Sequence, residues 1–343
     1  MTVSQYQYLV DRGWRRSGKY LYKPDISESC CSQYTIRLKV SVFSPSKGNR
    51  KTVAKMKREL GNGFADPEPS YSNCGYELSK IIDHAENSNI DIVTVKSEFD
   101  QEVFEIYRKY QASVHNDKLE DISPESFTRF LIDTPLAFEE STEMKLATGY
   151  GSYQQKYYLR SKLIAVSFID ILPYCVSGVY FVYDPEYSQL SLGTYSSLRE
   201  IAYTQRLETF MPEIQWYYLG LYIHSCPKMR YKSSFKPSEL LCPKTLNWVG
   251  FKEIEPVLEK NVKSILAGED GVPLTDPIPV SSLSGAEKDI GGSKIYIYDE
   301  GIIRIVSYKN LVLSNPAASK LVNQLCQITG NEIFMNITFV IGN

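Results

Sequence analysis

Residues 156 to 223 limit the possible folds more narrowly than any other part of the chain. Three apolar, aromatic stretches, KYYLRSKLIAVSFIDILP, GVYFVYDPEY and IQWYYLGLYI, read as strands. Between the last two, LSLGTYSSLREIAYTQRLE reads as a Gly-led turn into an amphipathic helix, with Leu198, Ile201, Ala202 and Gln205 on one face. Strand, strand, turn, helix, strand in this order predicts an α+β fold.

The flanking sequence divides into segments. Residues 1–60 form a basic opening segment, in which SCCSQYTIRLKVSVF alternates like a strand and PSKGNRKTVAKMKREL reads as a basic helix. Residues 61–96 hold GNGFADPEPSYSNCGY, dense enough in Gly, Pro, Asn and Ser to mark a linker or long loop. From 97 onward, SEFDQEVFEIYRKYQASVHNDK spaces Val103, Ile106, Tyr107 and Tyr110 at three and four, a helix with one apolar face. SPESFTRFLIDTPL is a short second helix that begins at the Ser-x-x-Ser of Ser123 and ends at Pro135. Residues 97–255 therefore form the main domain, and 256–343 a linker and strand-and-helix tail.

A formal net charge of −2 gives no global field to draw in nucleic acid, so a polyanion has to meet a local patch. Three such patches exist: Arg12, Arg15, Arg16 and Lys19; Lys47, Arg50, Lys51, Lys55, Lys57 and Arg58; and Lys228, Arg230, Lys232 and Lys236. Each alone reads as a solvated face, but together they make a phosphate-backbone partner reasonable. Seven cysteines, with no secretory apolar region at the start, predict a reduced intracellular compartment. No run approaches the length of an apolar membrane span. The 26 tyrosines against 14 phenylalanines suit polar clefts as well as half-buried strands.

Candidate chemistry is sparse. His224 and Cys226 in IHSCPK lie two residues apart on a strand end, where side chains merely share a face, so packing is expected and not a nucleophilic dyad. Adjacent Cys30 and Cys31 can supply two thiolates to a metal, but no Cys-x-x-Cys accompanies them. Gly193, before a helix start and close to the hydroxyls of Tyr195 and Ser196, marks a possible anion or oxyanion site. Asp170 sits among apolar neighbours in SFIDILP, where a carboxylate needs a partner; a buried salt bridge and a cationic ligand both serve.

In order along the chain, GWRRSGKYLYKP, CCSQYTIRL, FSPSKGNRK, KYQASVHND, SFTRFLIDTPL, KLIAVSFIDILP, VYFVYDPEYSQLSLGTYSSLREIA and YYLGLYIHSCPKMRYKSSFKPSELLCP cover most of residues 10 to 250. This ordered set resembles the eukaryotic, fungal-looking branch of the arginyl-tRNA–protein transferases. The resemblance implies an acetyltransferase-like (GNAT-type) mixed sheet flanked by helices. It also implies transfer of arginine from Arg-tRNA to the N-terminal α-amine of proteins beginning with Asp or Glu, which marks them for ubiquitin-dependent degradation by the N-degron route. It further implies that transfer requires no cofactor. The location implied is cytoplasmic, and open to the nucleus as well.

On this reading the catalytic centre is expected at Gly193, Tyr195 and Ser196 with the facing Tyr218 and Tyr222. Arg15, Arg16, Lys228 and Arg230 are the expected readers of the acceptor's acid, and Asp170 and Glu200 of the donor's guanidinium. Lys47, Arg50, Lys51 and Lys55 are expected on tRNA phosphates. In the family the paired cysteines join a Cys-x-x-Cys to bind zinc or an iron–sulfur cluster. Cys30 and Cys31 match only the paired half, so metal is expected only if partner cysteines are present. The alternative from another class is a catalytically idle module that holds tRNA or acidic N-termini, which would tolerate substitution in LSLGTYS. A generic acetyl-CoA enzyme is a third, for which LSLGTYSS supplies too few glycines.

Overall fold

The computed structural model describes residues 1–24, 26, 29, 31–60, 90–141, 143, 147–260, 264–268, 294–299, 302–307 and 340–342. They fall into two compact units, Thr2–Val280, and Ser281–Asn343 with Met1. Residues 61–89 of the expected linker lie outside the described residues.

In the larger unit, α1 (Val3–Asp11) starts with a capping box in which Thr2 accepts from the Gln5 N–H and the Gln5 side chain accepts from the Thr2 N–H. β1 (Arg15–Ser17) and β2 (Tyr20–Tyr22) form a tight antiparallel hairpin, followed by β3 (Tyr34–Lys39). α2 (Lys47–Leu60) is the predicted basic helix, with Val53 and Met56 buried and Lys47 and Lys51 exposed. β4 (Ile90–Lys96) precedes α3 (Gln101–Tyr110), whose first N–H groups are capped by the Asp100 carboxylate. α4 (Pro124–Phe127) starts at the reciprocal Ser123–Ser126 pair that the Ser-x-x-Ser spacing predicts.

There follow β5 (Glu139–Glu140), β6 (Gly149–Leu159), β7 (Lys162–Ile171) and β8 (Cys175–Tyr183). The predicted helix is α5 (Leu192–Glu208); β9 (Trp216–Tyr222), the short α6 (Pro227–Arg230), β10 (Glu239–Leu241), β11 (Trp248–Gly250) and α7 (Phe251–Lys260) complete the unit. Two stretches differ from their sequence readings. Ile90–Lys96, the end of the expected linker, is the strand β4 paired with β6. KYYLRSKLIAVSFIDILP is not a single strand: Arg160 and Ser161, at φ 50° and 65°, turn it back on itself so that Leu159 pairs with Lys162. A two-residue turn with both φ values positive matches the twist of the strands it joins, so β6 and β7 form a hairpin.

The strands form one sheet in the order β11-β10-β3-β9-β8-β7-β6-β4, with β5 attached to β6. β3, from the opening segment, is an interior strand of it. Every pairing is antiparallel except β8 with β9, which α5 connects. Helices cover both faces. Val103, Phe104 and Tyr107 of α3 and Phe127 of α4 pack on Phe168 and Val182; on the other face Met56 of α2 and Tyr195 of α5 pack on Tyr157 and Ile164. Each such side chain contributes about 1.5–3 kcal/mol when fully buried. This is the α+β arrangement, a mixed sheet flanked by helices, expected from the sequence. His224 is buried at the end of β9 with its Nδ1 2.7 Å from the Tyr222 hydroxyl, which is packing at a strand end. No helix among the described residues is long and apolar enough to cross a membrane.

In the smaller unit, β12 (Lys294–Asp299) pairs antiparallel with β13 (Ile302–Ser307) and parallel with β14 (Val340–Gly342).

Candidate active site

The parallel pairing of β8 and β9 is short. It runs through Cys175↔Trp216, Val176↔Tyr217 and Ser177↔Tyr218 and stops there, although both strands continue. A cavity of about 840 Å³ lies along the unpaired parts, bordered by Gly178 to Phe181, Leu219 to Leu221, the start of α5 and the β1–β2 hairpin. Two glycines shape its floor. A Cβ on Gly178 would come within 3.3 Å of Glu200 Oε2, and Gly220, at φ +76°, lies with its Cβ position 3.8 Å from Lys232 Nζ and from the Gly178 carbonyl. Bare backbone thus runs between a carboxylate and an ammonium group, where any side chain would fill the gap.

Glu200 is buried, accepting from Ser167 Oγ at 2.5 Å and from the Tyr217 hydroxyl at 2.6 Å. Burial pushes its carboxyl up to about 7, against those two bonds, which favour the ionised form. Burial and the Glu200 charge together raise the Tyr217 phenol well above its ordinary value, so Tyr217 remains a donor. Glu200 is the carboxylate among the residues bordering the cavity. Asp170, the other carboxylate expected to face the donor, is taken. Its oxygens receive Arg16 Nε and Nη2, both at 2.8 Å, and Ser152 Oγ at 2.7 Å, with the paired side chains 2% and 0% exposed. Burial opposes the Arg16 charge, but Asp170 outweighs it and holds the guanidinium above its usual value. Arg16 and Asp170, expected on different substrates, bind each other.

Arg15 has a different environment. Its Nη1 donates to the Trp14 carbonyl at 2.9 Å, but its buried Nε and Nη2 have no hydrogen-bond partner among the described residues. Of the other expected cations, Lys228 is exposed and borders the cavity, whereas Arg230 is paired with Glu259 outside it. Gly193 and Ser196 border the cavity at the start of α5, where Ser191 provides no side-chain cap, and both Ser196 and Ser197 donate to the Gly193 carbonyl.

Three expected catalytic tyrosines point elsewhere. Tyr195 packs in the core beside Met56; Tyr218 donates to Asp11 at 2.5 Å and stacks edge-on against Trp248; Tyr222 meets His224 and Phe251. The correction follows from strand geometry. Successive side chains alternate, so Tyr217, Leu219 and Leu221 face the cavity while Tyr218 and Tyr222 face the other layer. Tyr217, Ser167 and Gly178 were not singled out from the sequence, and Lys232 was named only within the third basic patch; the parity of the strand could have found Tyr217, but Ser167 and Gly178 carry no local signal.

Cys30 lies outside the described residues, and Cys31 is half-buried. Among the described residues no three His, Cys, Asp or Glu side chains are grouped as a metal would need. Along α2, Lys47, Arg50 and Lys51 are exposed and Lys55 half-buried, and Lys47, Lys51 and Lys55 form no ion pair among the described residues. Spaced by four, these three lysines make one stripe.

Comparison with known proteins bears on this geometry. Residues 1–51 match the family model for the N terminus of arginine-tRNA-protein transferase, and residues 102–242 the model for its C terminus. An arginyl-tRNA–protein transferase 1 of Arabidopsis thaliana is 45% identical, over 78% of this chain and 70% of that protein. The Drosophila melanogaster protein of the same name is 33% identical, over 73% and 75%. An aspartate/glutamate leucyltransferase of Pseudomonas syringae is 29% identical, over 70% and 81%. With both family models matched in order and relatives this similar along most of their length, the chain belongs to the arginyl-tRNA–protein transferase family.

Proposed function

We propose that this protein transfers arginine from Arg-tRNA to the N-terminal α-amine of proteins beginning with Asp or Glu. Membership of the family supports the transfer itself. Two things support the acidic acceptor: the name of the bacterial relative, aspartate/glutamate leucyltransferase, and the cations bordering the cavity. The observation that carries the reading is that one cavity holds a buried carboxylate, Glu200, on one side of a bare backbone floor and unpaired cationic nitrogens on the other.

Glu200 takes the guanidinium of the donor arginine, since Asp170 is engaged by Arg16. Binding a cation favours the ionised carboxylate, so Arg-tRNA binding displaces a proton from a group that titrates near 7. The acceptor's α-amine, with a pKa near ~8, is partly free at neutral pH. Its nitrogen attacks the ester carbonyl carbon and the bond to the ribose oxygen breaks. The ammonium loses two protons on the way to the amide, one ending on the ribose oxygen and one in solvent. The negative charge that develops on the carbonyl oxygen is met at the uncapped start of α5, at Gly193 and Ser196. No side chain forms a covalent intermediate, because the ester is already activated and the nucleophile comes with the acceptor.

The α2 lysines hold tRNA phosphates by charge, without base reading. Such transfer fits a cytoplasmic location and the marking of acidic N-termini for degradation. The test uses Arg-tRNA labelled in the arginine and matched peptides beginning with Asp, Asn or acetyl-Asp. Label on the free Asp peptide alone is expected; label on none of them, with tRNA still bound, overturns the proposal in favour of an idle module.

A further inference from the structure

One cation bordering the cavity, Lys232, belongs to the third basic patch of the sequence but was not among the expected readers of the acceptor. Lys232, in the turn after α6, borders the same cavity as Arg15, and its Nζ donates to the Leu221 carbonyl at 2.7 Å. Neither forms an ion pair among the described residues. Burial and then the charge of Arg15 lower Lys232 to about 8, so the two cations are near enough to repel. Arg15 is 5% exposed and its Nε and Nη2 find no acceptor among the described residues. A buried and a partly buried like charge, with no counter-ion among the described residues, raise the free energy of the empty site. An arrangement of this kind is stabilised by an anion that accepts from both.

We infer that Arg15 and Lys232 form a carboxylate-binding subsite that reads the acidic side chain of the acceptor. The inference rests on the transfer proposed above and names the residues that give it specificity. The anion's size and depth decide between sources. A carboxylate on one or two methylenes reaches past the Gly220 backbone to Lys232, whereas a tRNA phosphate would have to bring its ribose and both ester links into the same buried space. The position of Glu200 across Gly178 then keeps the donor guanidinium on the opposite side, so each charge repels the wrong substrate group. An asparagine or glutamine amide offers the two cations only a neutral acceptor, leaving their repulsion unrelieved.

The charged groups bordering the cavity with Lys232 are Arg15 and Arg16 on β1, Glu200 on α5 and Lys228 on α6, and the other titratable groups bordering it are tyrosines, Tyr217 and Tyr231 among them. Of these, Arg15 sets the direction. Lys232 is charged below about pH 8 and neutral above it, so the subsite weakens as pH rises through that value.

The experiment compares the wild-type full chain with Lys232→Met and Lys232→Arg. Direct titration with peptides beginning with Asp and with Asn, in the absence of tRNA, runs beside KM and kcat for transfer and tRNA affinity. Loss of a charged hydrogen bond predicts a rise of about ten- to a hundred-fold in the Kd and KM of the Asp peptide for Lys232→Met, with tRNA affinity unchanged. The Asp-peptide KM of the wild type should climb above pH 8 relative to Lys232→Arg, whose charge persists; the α-amine affects both alike. Removing a lysine whose charge burial disfavours should not lower Tm at pH 7, so misfolding is separable. Equal wild-type affinity for the Asp and Asn peptides, or an unchanged Asp-peptide Kd in Lys232→Met, overturns the inference. A fall in tRNA affinity with no change in peptide binding overturns it in favour of a phosphate site. Absence of transfer by the wild type would sink the proposed function, while the direct titration would still decide the subsite.

Discussion

Arg15 and Arg16 are consecutive residues on one short strand, equally buried at 5% exposure, and they have opposite electrostatic fates. Arg16 meets a bidentate carboxylate, with a hydroxyl and a carbonyl completing its bonds. Arg15 donates one nitrogen to the backbone, lies over the Tyr218 ring, and leaves two nitrogens with no hydrogen-bond partner among the described residues, near enough to a second cation to repel it. Strand alternation sends the two side chains to different surroundings. A closed pair of this kind fixes the hairpin against β7, and nothing is left over for a ligand. The open group carries unmet bonding capacity, which is what a binding site consists of before its ligand arrives. Burial alone therefore does not identify function; the state of the partner does.

The largest effect should come from breaking the closed pair. Asp170→Ala leaves the Arg16 guanidinium buried without its counter-charge and should cost about 3–5 kcal/mol of stability. Chemical denaturation should show it directly, and a loss below about 1 kcal/mol would mean that water or relaxation rescues Arg16. The next largest separates stability from activity. Glu200 holds its proton more tightly folded than unfolded, with a carboxyl near 7 against 4.5. Its contribution to stability is thus complete below pH ~4.5 and lost as pH rises through 7. Glutamine imitates the protonated form, so Glu200→Gln should gain on the order of 3 kcal/mol over wild type at pH 8. It should also lose about a hundred-fold or more in kcat/KM for Arg-tRNA, because the guanidinium loses its counter-charge. A melt at pH 5 and pH 8 with the transfer assay checks both; lower stability at pH 8 would refute the assignment of a protonated, buried Glu200.

A smaller effect tests the bare floor between the charges. Gly178→Ala places a methyl 3.3 Å from the Glu200 carboxylate, on backbone that tolerates alanine. The expected result is a rise of roughly ten-fold in KM for Arg-tRNA with stability within about 1 kcal/mol of wild type, the range for a tight but adaptable contact. Gly220→Ala adds about 1–2 kcal/mol of backbone strain at φ +76°. The two glycines should therefore separate, Gly178 affecting donor binding and Gly220 affecting stability too. Equal behaviour in both assays would mean that the ledge is only a packing feature.

These contrasts also explain what the sequence could disclose. The Ser123 helix start, the basic α2 and the long α5 were legible because local hydrogen bonds and periodicity determine them. The β6–β7 hairpin was missed because Arg160-Ser161 lacks the glycine or asparagine that usually signals a turn with positive φ. At the site, the reading found Gly193, Ser196, Arg15 and Glu200 near the cavity but took Tyr218 and Tyr222 in place of Tyr217. A tyrosine-rich strand shows its alternation only once the buried face is known. The Arg16–Asp170 pair joins residues far apart in sequence, so their mutual neutralisation depends on tertiary structure that no local pattern records.

The smallest effect concerns charges that never leave water. Lys47 and Lys51 on α2 are exposed and Lys55 half-buried, and none forms an ion pair among the described residues, in contrast to the buried Arg15 and the less exposed Lys232 of the cavity. If they hold tRNA phosphates, replacing all three by glutamine should lower tRNA affinity modestly at physiological salt. Each lost phosphate contact should reduce the slope of log K against log salt by about 0.7 to 0.9. The peptide KM and its pH dependence should not change, because those belong to the buried pair. Measuring tRNA binding from low to high salt for wild type and the triple variant decides it. An unchanged slope would make α2 a solvated face and move the phosphate contacts elsewhere on the chain. A changed slope with an unchanged peptide KM would show that the protein keeps its two kinds of cation apart, exposed ones for the polyanion and desolvated ones for a single carboxylate.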